Sequence, residues 1–402
     1  MNNTNYKQTE IGKIPAEWEF KVAADVLEKI IDYRGKTPPK TSFGIPLVTA
    51  KVVKNGRIDY SNPEFISEET WKSWMTRGFP RKGDVVMTTE APLGEVAQLD
   101  NAHIGLAQRL LTLRGKAEVL DDTFLKYYLL SYIGQQELAS RATGSVVKGI
   151  RQSEFRQVRI LLPPLDEQQR IASVLSSLDE KIELNRKMNE ALEKMGMALF
   201  EHLFVDREER SQQVELQDIV DFNPRESLSR GQTATYLEMK DLPEQGMWVY
   251  SEVKKPYAGG SKFRNRDTLM ARITPCLENG KSGFVDFLGN GEVAFGSTEF
   301  IILRPKEEKY EEFIYFLVRD DEFREYAIRS MVGSSGRQRV QTDAIKQYQL
   351  QTPNVNSIER FHALMQAEFQ LIKSNAIENE KLSAIRDSLL PRLMSGKLRV
   401  NN

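Results

Sequence analysis

The residues of this chain whose types and spacing suggest chemistry are arginine, lysine, glycine and serine, and the chemistry is binding. Thr143-Gly144-Ser145-Val146-Val147-Lys148-Gly149-Ile150-Arg151 sets two cations among glycines. Val332-Gly333-Ser334-Ser335-Gly336-Arg337-Gln338-Arg339 repeats that composition later in the chain. Around the first segment lie Arg141, Lys148, Arg151, Arg156 and Arg159 against the single acid Glu154. Around the second lie Arg324, Arg329, Arg337, Arg339 and Lys346 against Glu325 and Asp343. Cations interleaved with Gly, Ser and Gln suit phosphate contact and hydrogen bonding to base edges, and Gly144 and Gly333 would permit close backbone approach. One such loop alone fits an ordinary solvated turn better than a binding site. Two at matching points of a repeat favour a ligand. The candidate contacts are Gly144, Ser145, Lys148 and Arg151 in the first loop, and Gly333, Ser334, Arg337 and Arg339 in the second. Arg34 and Lys36, in the proline-stiffened run Arg34-Gly35-Lys36-Thr37-Pro38-Pro39-Lys40, join them. So do Arg225, in a similar early stretch of the second copy, and Arg272, beside a strand.

Bond-making chemistry is not signalled. Gly35-Lys36-Thr37 resembles the end of a phosphate-binding loop, but Ile30 stands where that motif needs glycine and a proline follows at once. His103, His202, His362 and Cys276 have no metal-ligand spacing. No Gly-x-Ser-x-Gly elbow occurs. The Pro-Pro pairs at 38–39 and 163–164 lack the polar and aromatic flanks of a base-methylation loop, and no Pro-Asp dipeptide supports a common metal-dependent nuclease. Trp18, Trp71, Trp74 and Trp248 read as packing residues more readily than as base-stacking platforms.

The elements that must position these loops repeat. Leu113-Arg114 recurs as Leu303-Arg304, Pro163 as Pro353, Arg170 as Arg360, Leu199 as Leu389 and Leu203 as Leu393, each 190 residues on. Nearer the start the offset is 183, with Asp84, Met87 and Pro92 answered by Asp267, Met270 and Pro275. Two diverged copies, each a globule followed by a long helix, explain both offsets. Strand-like runs fall at 84–89, 110–113, 158–162, 268–272 and 299–303, and one amphipathic helix per copy is expected at 123–138 and 311–328.

In the first long helix Ile171, Leu175, Leu178, Ile182, Asn185, Met188, Leu192, Met195, Leu199 and Leu203 are spaced three or four apart. In the second, Phe361, Met365, Glu368, Ile372, Asn375, Glu378, Leu382, Ile385, Leu389 and Leu393 occupy the matching positions. This is a coiled-coil-like seam, roughly 50 Å long at 1.5 Å per residue. Gly196 and Pro391 interrupt it, and the proline is expected to kink or end the second helix near Leu390. An antiparallel pairing about the seam midpoints, 187 and 377, puts Asn185 opposite Asn379 and Asn189 opposite Asn375. Asparagine in an apolar seam can fix register; exposure to solvent is the plain alternative.

A chain of 402 residues suggests two or three domains. Its 40% apolar and 28% charged content is that of an ordinary globular protein. No apolar run is long enough for a membrane helix, the first ten residues are polar, and one cysteine points to a reducing compartment. A net charge of −1 argues against a histone-like binder but leaves room for local basic faces.

The order globule, helix, globule, helix resembles the specificity subunits of type I restriction–modification enzymes. Ile11-Gly12-Lys13-Ile14-Pro15-Ala16-Glu17-Trp18 is similar to the family's opening motif, and Leu162-Pro163-Pro164-Leu165-Asp166-Glu167-Gln168 to its entry into the first helix. Glu90-Ala91-Pro92-Leu93-Gly94 and Leu393-Met394-Ser395-Gly396-Lys397-Leu398 add to the likeness. The second copy departs from it at 351–356, where one proline and no Glu-Gln are found. The resemblance implies an α+β fold. Two mixed α/β target recognition domains (1–163 and 207–353) would be joined and separated by two long antiparallel coiled-coil-like helices (164–206 and 354–402). Each domain would read half of a bipartite site in double-stranded DNA. Two methyltransferase subunits would dock on the helices through residues such as Leu178, Ile182, Asn185, Leu192, Ile372, Asn375, Asn379 and Leu382. Restriction motor-nuclease subunits would complete the assembly in the cytoplasm. S-adenosylmethionine, ATP and Mg²⁺ would belong to those partners, and this chain would be non-catalytic. The rival classes are a stand-alone enzyme with an unfamiliar site and a coiled-coil scaffold with protein-binding heads. Cofactor binding by the isolated chain and salt-dependent DNA binding separate them.

Overall fold

The computed structural model describes residues 5–10, 12–33, 37–144, 146–205, 213–351 and 354–400. The chain divides into two compact units, residues 1–181 with 381–402, and residues 182–380. The division falls inside both long helices, Leu165–Phe200 and Val355–Met394, so each helix contributes to both units. The passages expected at 206–207 and 353 lie outside the described residues.

The first unit is built on a four-stranded antiparallel sheet whose spatial order is Leu93–Gln98, Val85–Thr89, Leu110–Gly115, Leu27–Asp32. Leu110–Gly115 is buried on both faces, Leu110, Leu111 and Leu113 packing in the core while Arg114 is neutralised there by Asp84. A second small sheet pairs Gly105–Leu106 in parallel with Ile45–Val48. In the second unit the strands Ser282–Phe284, Thr268–Ala271, Phe300–Pro305 and Val220–Phe222 lie in the same order and sense. Thr233–Leu237 again runs parallel to Ala294–Gly296. The repeat read from two offsets is therefore a repeat of topology.

Each sheet carries the same buried ion pair at equivalent positions. Arg114 donates from Nε and Nη2 to the two Asp84 oxygens, both at 2.7 Å. Arg304 grips Asp267 the same way, at 2.6 and 2.7 Å. Both carboxylates are buried.

The amphipathic stretches expected as one helix per copy are two. Asp122–Leu130 is followed by Tyr132–Ser140, and Glu311–Arg319 by Asp321–Arg329. Ser131 and Asp320 are extended, and their side chains accept backbone N–H groups of the next helix. A capping residue restarts the helix where the apolar pattern alone runs on.

In the second unit the helix segments 182–200 and 355–380 run antiparallel, and the asparagines meet as the antiparallel register requires. Asn185 Nδ2 donates to Asn379 Oδ1 at 3.0 Å and to Glu378 at 2.7 Å. Asn375 Nδ2 donates to Asn189 Oδ1 at 2.8 Å, and Asn189 reaches the Ile372 carbonyl at 3.1 Å. Asn185 and Asn375 are buried, as is Ile372, while Leu192 is half-buried. In the first unit Leu178 and Leu382 are half-buried, as is Ile182 in the second. The seam departs from its expected line elsewhere. Met188, Met195 and Ile385 are exposed, and Phe369 rather than Glu368 is buried. A 3.6-residue helix drifts from a strict 3.5-residue repeat, which turns Asn189 and Gly196 inward instead.

Gly196 is a packing contact, not a flaw. A Cβ there would lie 2.4 Å from Phe316 and 3.0 Å from Met365. Pro391 does not end the helix, which continues to Met394. In the last turn it removes one backbone donor, and Leu393 and Met394, both buried, hold that turn in the core of the first unit. Gly396 then ends the helix in the left-handed conformation (φ 68°).

The motifs at both ends of the first unit's sequence converge. The Glu167 carboxylate accepts from the Trp18 indole at 3.0 Å and from Arg399 Nε at 2.5 Å. Gln168 beside it donates to the Pro163 and Val119 carbonyls and accepts from the Asp121 N–H.

Replacing Asn185 alone with leucine leaves Asn379 facing an apolar side chain and should cost about 1–3 kcal/mol. Asn185→Leu with Asn379→Leu should recover part of that loss in urea denaturation, the bond from Asn185 to Glu378 still being absent; a double variant weaker than the single would contradict the pairing. Gly196→Ala should lower the thermal midpoint despite alanine's better helix propensity, because overpacking costs about 1–3 kcal/mol.

Candidate nucleic-acid interface

Three backbone segments meet where the strand Val85–Thr89 ends. The Thr89 N–H donates to the Arg109 carbonyl, and the Ile150 N–H to the Thr89 carbonyl, both at 2.9 Å. Glu90 bridges Gly149 in antiparallel fashion. In the second unit the Arg272 N–H donates to the Glu299 carbonyl at 3.0 Å, and the Val340 N–H to the Arg272 carbonyl at 2.9 Å. Ile273 bridges Arg339. The two junctions are one backbone arrangement, offset by 183 residues on the strand and by 190 on the other two segments.

The glycine-bearing loops spring from these junctions. Thr143 and Gly149 exchange backbone hydrogen bonds of 2.8 and 2.9 Å across the first. Gly144 is left-handed (φ 110°), and a Cβ there would sit 2.2 Å from the Val147 carbonyl oxygen, so only glycine fits. The second loop closes a hairpin of Met331–Val332 with Arg339–Val340, and Gly333 is again left-handed.

The expected basic cluster sorts into free and engaged cations. Lys148, Arg151 and Arg156 are exposed and have no ion-pair partner among the described residues. Arg337 is exposed in the second loop, next to the exposed Ser334. Arg339 is not free. Its Nε and Nη2 lie 2.8–3.0 Å from the Glu299 carboxylate. Those hydrogen bonds, outweighing partial burial, hold the Glu299 carboxyl below the usual carboxylate range. Arg272 is half-buried, donates to the Val340 carbonyl at 3.3 Å and lies 4.0 Å from Glu299. Arg141 and Arg159 approach Glu154 and Glu137, while Arg324, Arg329 and Lys346 pair with Asp321, Glu325 and Asp343. Helical i,i+3 and i,i+4 neighbours neutralise these last three, which a count of charges does not register.

A cleft of about 390 Å³ opens beside the first junction, its walls including Thr89, Glu90, Arg109, Val147 and Arg151. Arg109 Nε lies 2.9 Å from Glu90 Oε1. In the second unit Arg225 is exposed on a cleft of about 430 Å³ that it shares with Asn223, Gly260 and Lys262. Arg34, Lys36 and Ser145 lie outside the described residues. Trp18 is fully buried, and Trp71 and Trp74 donate to the carbonyls of Ile104 and Leu106, as packing residues do. Arg109 and Glu299 carry no signal in a search for repeats, because the same backbone position holds opposite charges in the two copies.

Among the described residues no group of three or more His, Cys, Asp or Glu side chains is placed to hold a metal ion. No helix among them is long and apolar enough to cross a membrane.

The family described as the type I restriction modification DNA specificity domain matches residues 15–194. The type I restriction enzyme MjaIX specificity subunit of Methanocaldococcus jannaschii is 27% identical over 430 residues, covering 99% of this chain and 97% of that protein. The HindI specificity subunit of Haemophilus influenzae is 22% identical, covering 79% of this chain and 87% of that protein. The crystal structure of the type I restriction–modification S subunit from M. genitalium has the same fold. It matches with a TM-score of 0.57 over 98% of this chain and 97% of that one, at 17% identity. Duplicated α+β units, basic loops and these relatives together define a DNA sequence-recognition protein. Residues 15–194 match the specificity-domain family, and along nearly its whole length the chain is similar to specificity subunits of type I restriction–modification systems.

Arg337→Ala should leave the thermal midpoint unchanged, as expected for an exposed residue, and lower the slope of log affinity against log salt by about one. Arg339→Ala should lower the midpoint and make the 331–340 hairpin cleavable in limited proteolysis. The reverse pattern would exchange their roles.

Proposed function

We propose that this chain reads a bipartite DNA site, one half-site through the loops of each unit, and brings methyltransferase and restriction subunits to it without catalysing a reaction itself. The observation that carries this reading is the duplicated junction with unlike side chains. The same backbone frame occurs twice, and two frames with different readers suit two different half-sites. Lys148 and Arg151 in the first unit, and Arg225 and Arg337 in the second, are the candidate contacts, while Arg272 and Arg339, drawn to the Val340 carbonyl and Glu299, hold the second loop in place. Gly144, Gly333 and Ser334 allow close approach, and Arg34, Lys36 and Ser145 extend the set by their sequence context. Phosphate contacts supply affinity, and the contacts to base edges supply specificity.

The long helices offer the partner surface, with Leu178, Ile182, Leu192 and Leu382 half-buried along them. Two methyltransferase subunits dock there, restriction motor-nuclease subunits complete the complex, and S-adenosylmethionine, ATP and Mg²⁺ act within those partners. The working compartment is the cytoplasm.

Exchanging residues 212–353 for the equivalent part of a relative tests the reading. Sequencing methylated adenines in DNA from cells carrying the hybrid complex should show one half-site changed and the other retained. A folded hybrid that alters both half-sites, or neither, would refute it.

A further inference from the structure

We propose that Arg109 is a base-reading residue of the first unit, held in its reading pose by Glu90. The proposal rests on the reading of the chain as a DNA-recognition subunit. Arg109 has a left-handed backbone (φ 68°), a conformation that costs a non-glycine residue energy and that persists where surrounding structure enforces it. The enforcement is visible: the Arg109 carbonyl is held by the Thr89 N–H. The turn carries the side chain to the wall of the 390 Å³ cleft. There the guanidinium meets Glu90 through Nε at 2.9 Å while its side chain remains 52% exposed.

An ion pair on its Nε side leaves the two Nη groups of the guanidinium as a planar pair of donors, which match O6 and N7 of guanine in the major groove. The restraint also limits the rotamer entropy lost on contact. Glu90 is a positioning residue here. Its own backbone is fixed by the bridge to Gly149, the residue that closes the loop bearing Lys148. Lys148 and Arg151, both exposed and flanking the cleft, supply charge for the adjoining phosphates.

The second unit supports the assignment by contrast. At the position of Arg109 stands Glu299, and at those of Thr89 and Gly149 stand Arg272 and Arg339. The frame is retained while the charge at its centre is reversed. A position kept charged but not kept in sign serves a changing ligand better than it serves the fold.

The test uses the assembled methyltransferase complex and a DNA library in which every position of its methylated motif is varied. Arg109→Ala should lose about ten- to a hundredfold of its preference at a single G·C pair in one half-site, with the other half-site unchanged. Glu90→Gln should weaken the same preference by a smaller factor. Arg109→Lys should keep the affinity at low salt yet fail to restore the preference, because lysine lacks the planar fork. Thermal melts of each variant should match the wild type, so that a lost preference is read as lost recognition and not as unfolding. A preference unaltered at every position, or a loss spread evenly over all positions, would overturn the proposal. A wild-type complex that showed no sequence-dependent methylation would instead overturn the underlying reading.

Discussion

A carboxylate buried in a sheet and gripped by both arms of an arginine occurs once in each unit, and much else is placed by it. Asp84 and Asp267 open a central strand; Arg114 and Arg304 lie on its neighbour. Removing one partner of such a pair costs about 3–5 kcal/mol, because the other charge stays buried without compensation. A slip of one residue between these strands would separate the fork and turn every side chain to the opposite face. The register set at one end of Val85–Thr89 is carried to the other end, where Thr89 receives Arg109 and Ile150. The loops therefore stand where they do because an ion pair at the far end of the strand admits one alignment.

The helices solve a comparable problem with neutral groups. Leucine and isoleucine in a seam are nearly interchangeable from turn to turn, so apolar packing alone tolerates slippage. Two asparagine pairs, Asn185 with Asn379 and Asn189 with Asn375, make one register better than its neighbours. Gly196 adds a steric limit, since Phe316 and Met365 occupy the space any larger residue would need. In the first unit Glu167 does the same by charge. It accepts from Trp18 and Arg399 at once, so the start of one long helix and the segment after the other share a single buried acceptor.

What could be read from the sequence was whatever repeats or has a period. The duplication, the two inner strands of each central sheet, the long helices and the asparagine pairing all follow from spacing within the chain, while the outer strands of those sheets do not. What could not be read was decided by partners distant in sequence. Asp84 and Arg114 were visible as members of the repeat, but nothing in their spacing announced that they bind each other. Arg339 looked like a free cation because Glu299, 40 residues away, shows no periodic relation to it. The breaks at Ser131 and Asp320 escaped an apolar pattern that continues through them, and Pro391 was overruled by the burial of Leu393 and Met394. The candidate interface was thus located at the level of its loops. Its division into free and engaged side chains required the fold.

The junction holds itself together with main-chain hydrogen bonds, and main-chain groups are indifferent to which side chains they carry. Two copies that share the frame and differ in its charges are the visible result: Glu90 and Arg109 in one, Arg272, Glu299 and Arg339 in the other. Such a frame separates evolvability from foldability. A side chain that faces the cleft, such as Arg109, can change without disturbing the core, whereas Arg339 and the buried forks, paired within the fold, cannot.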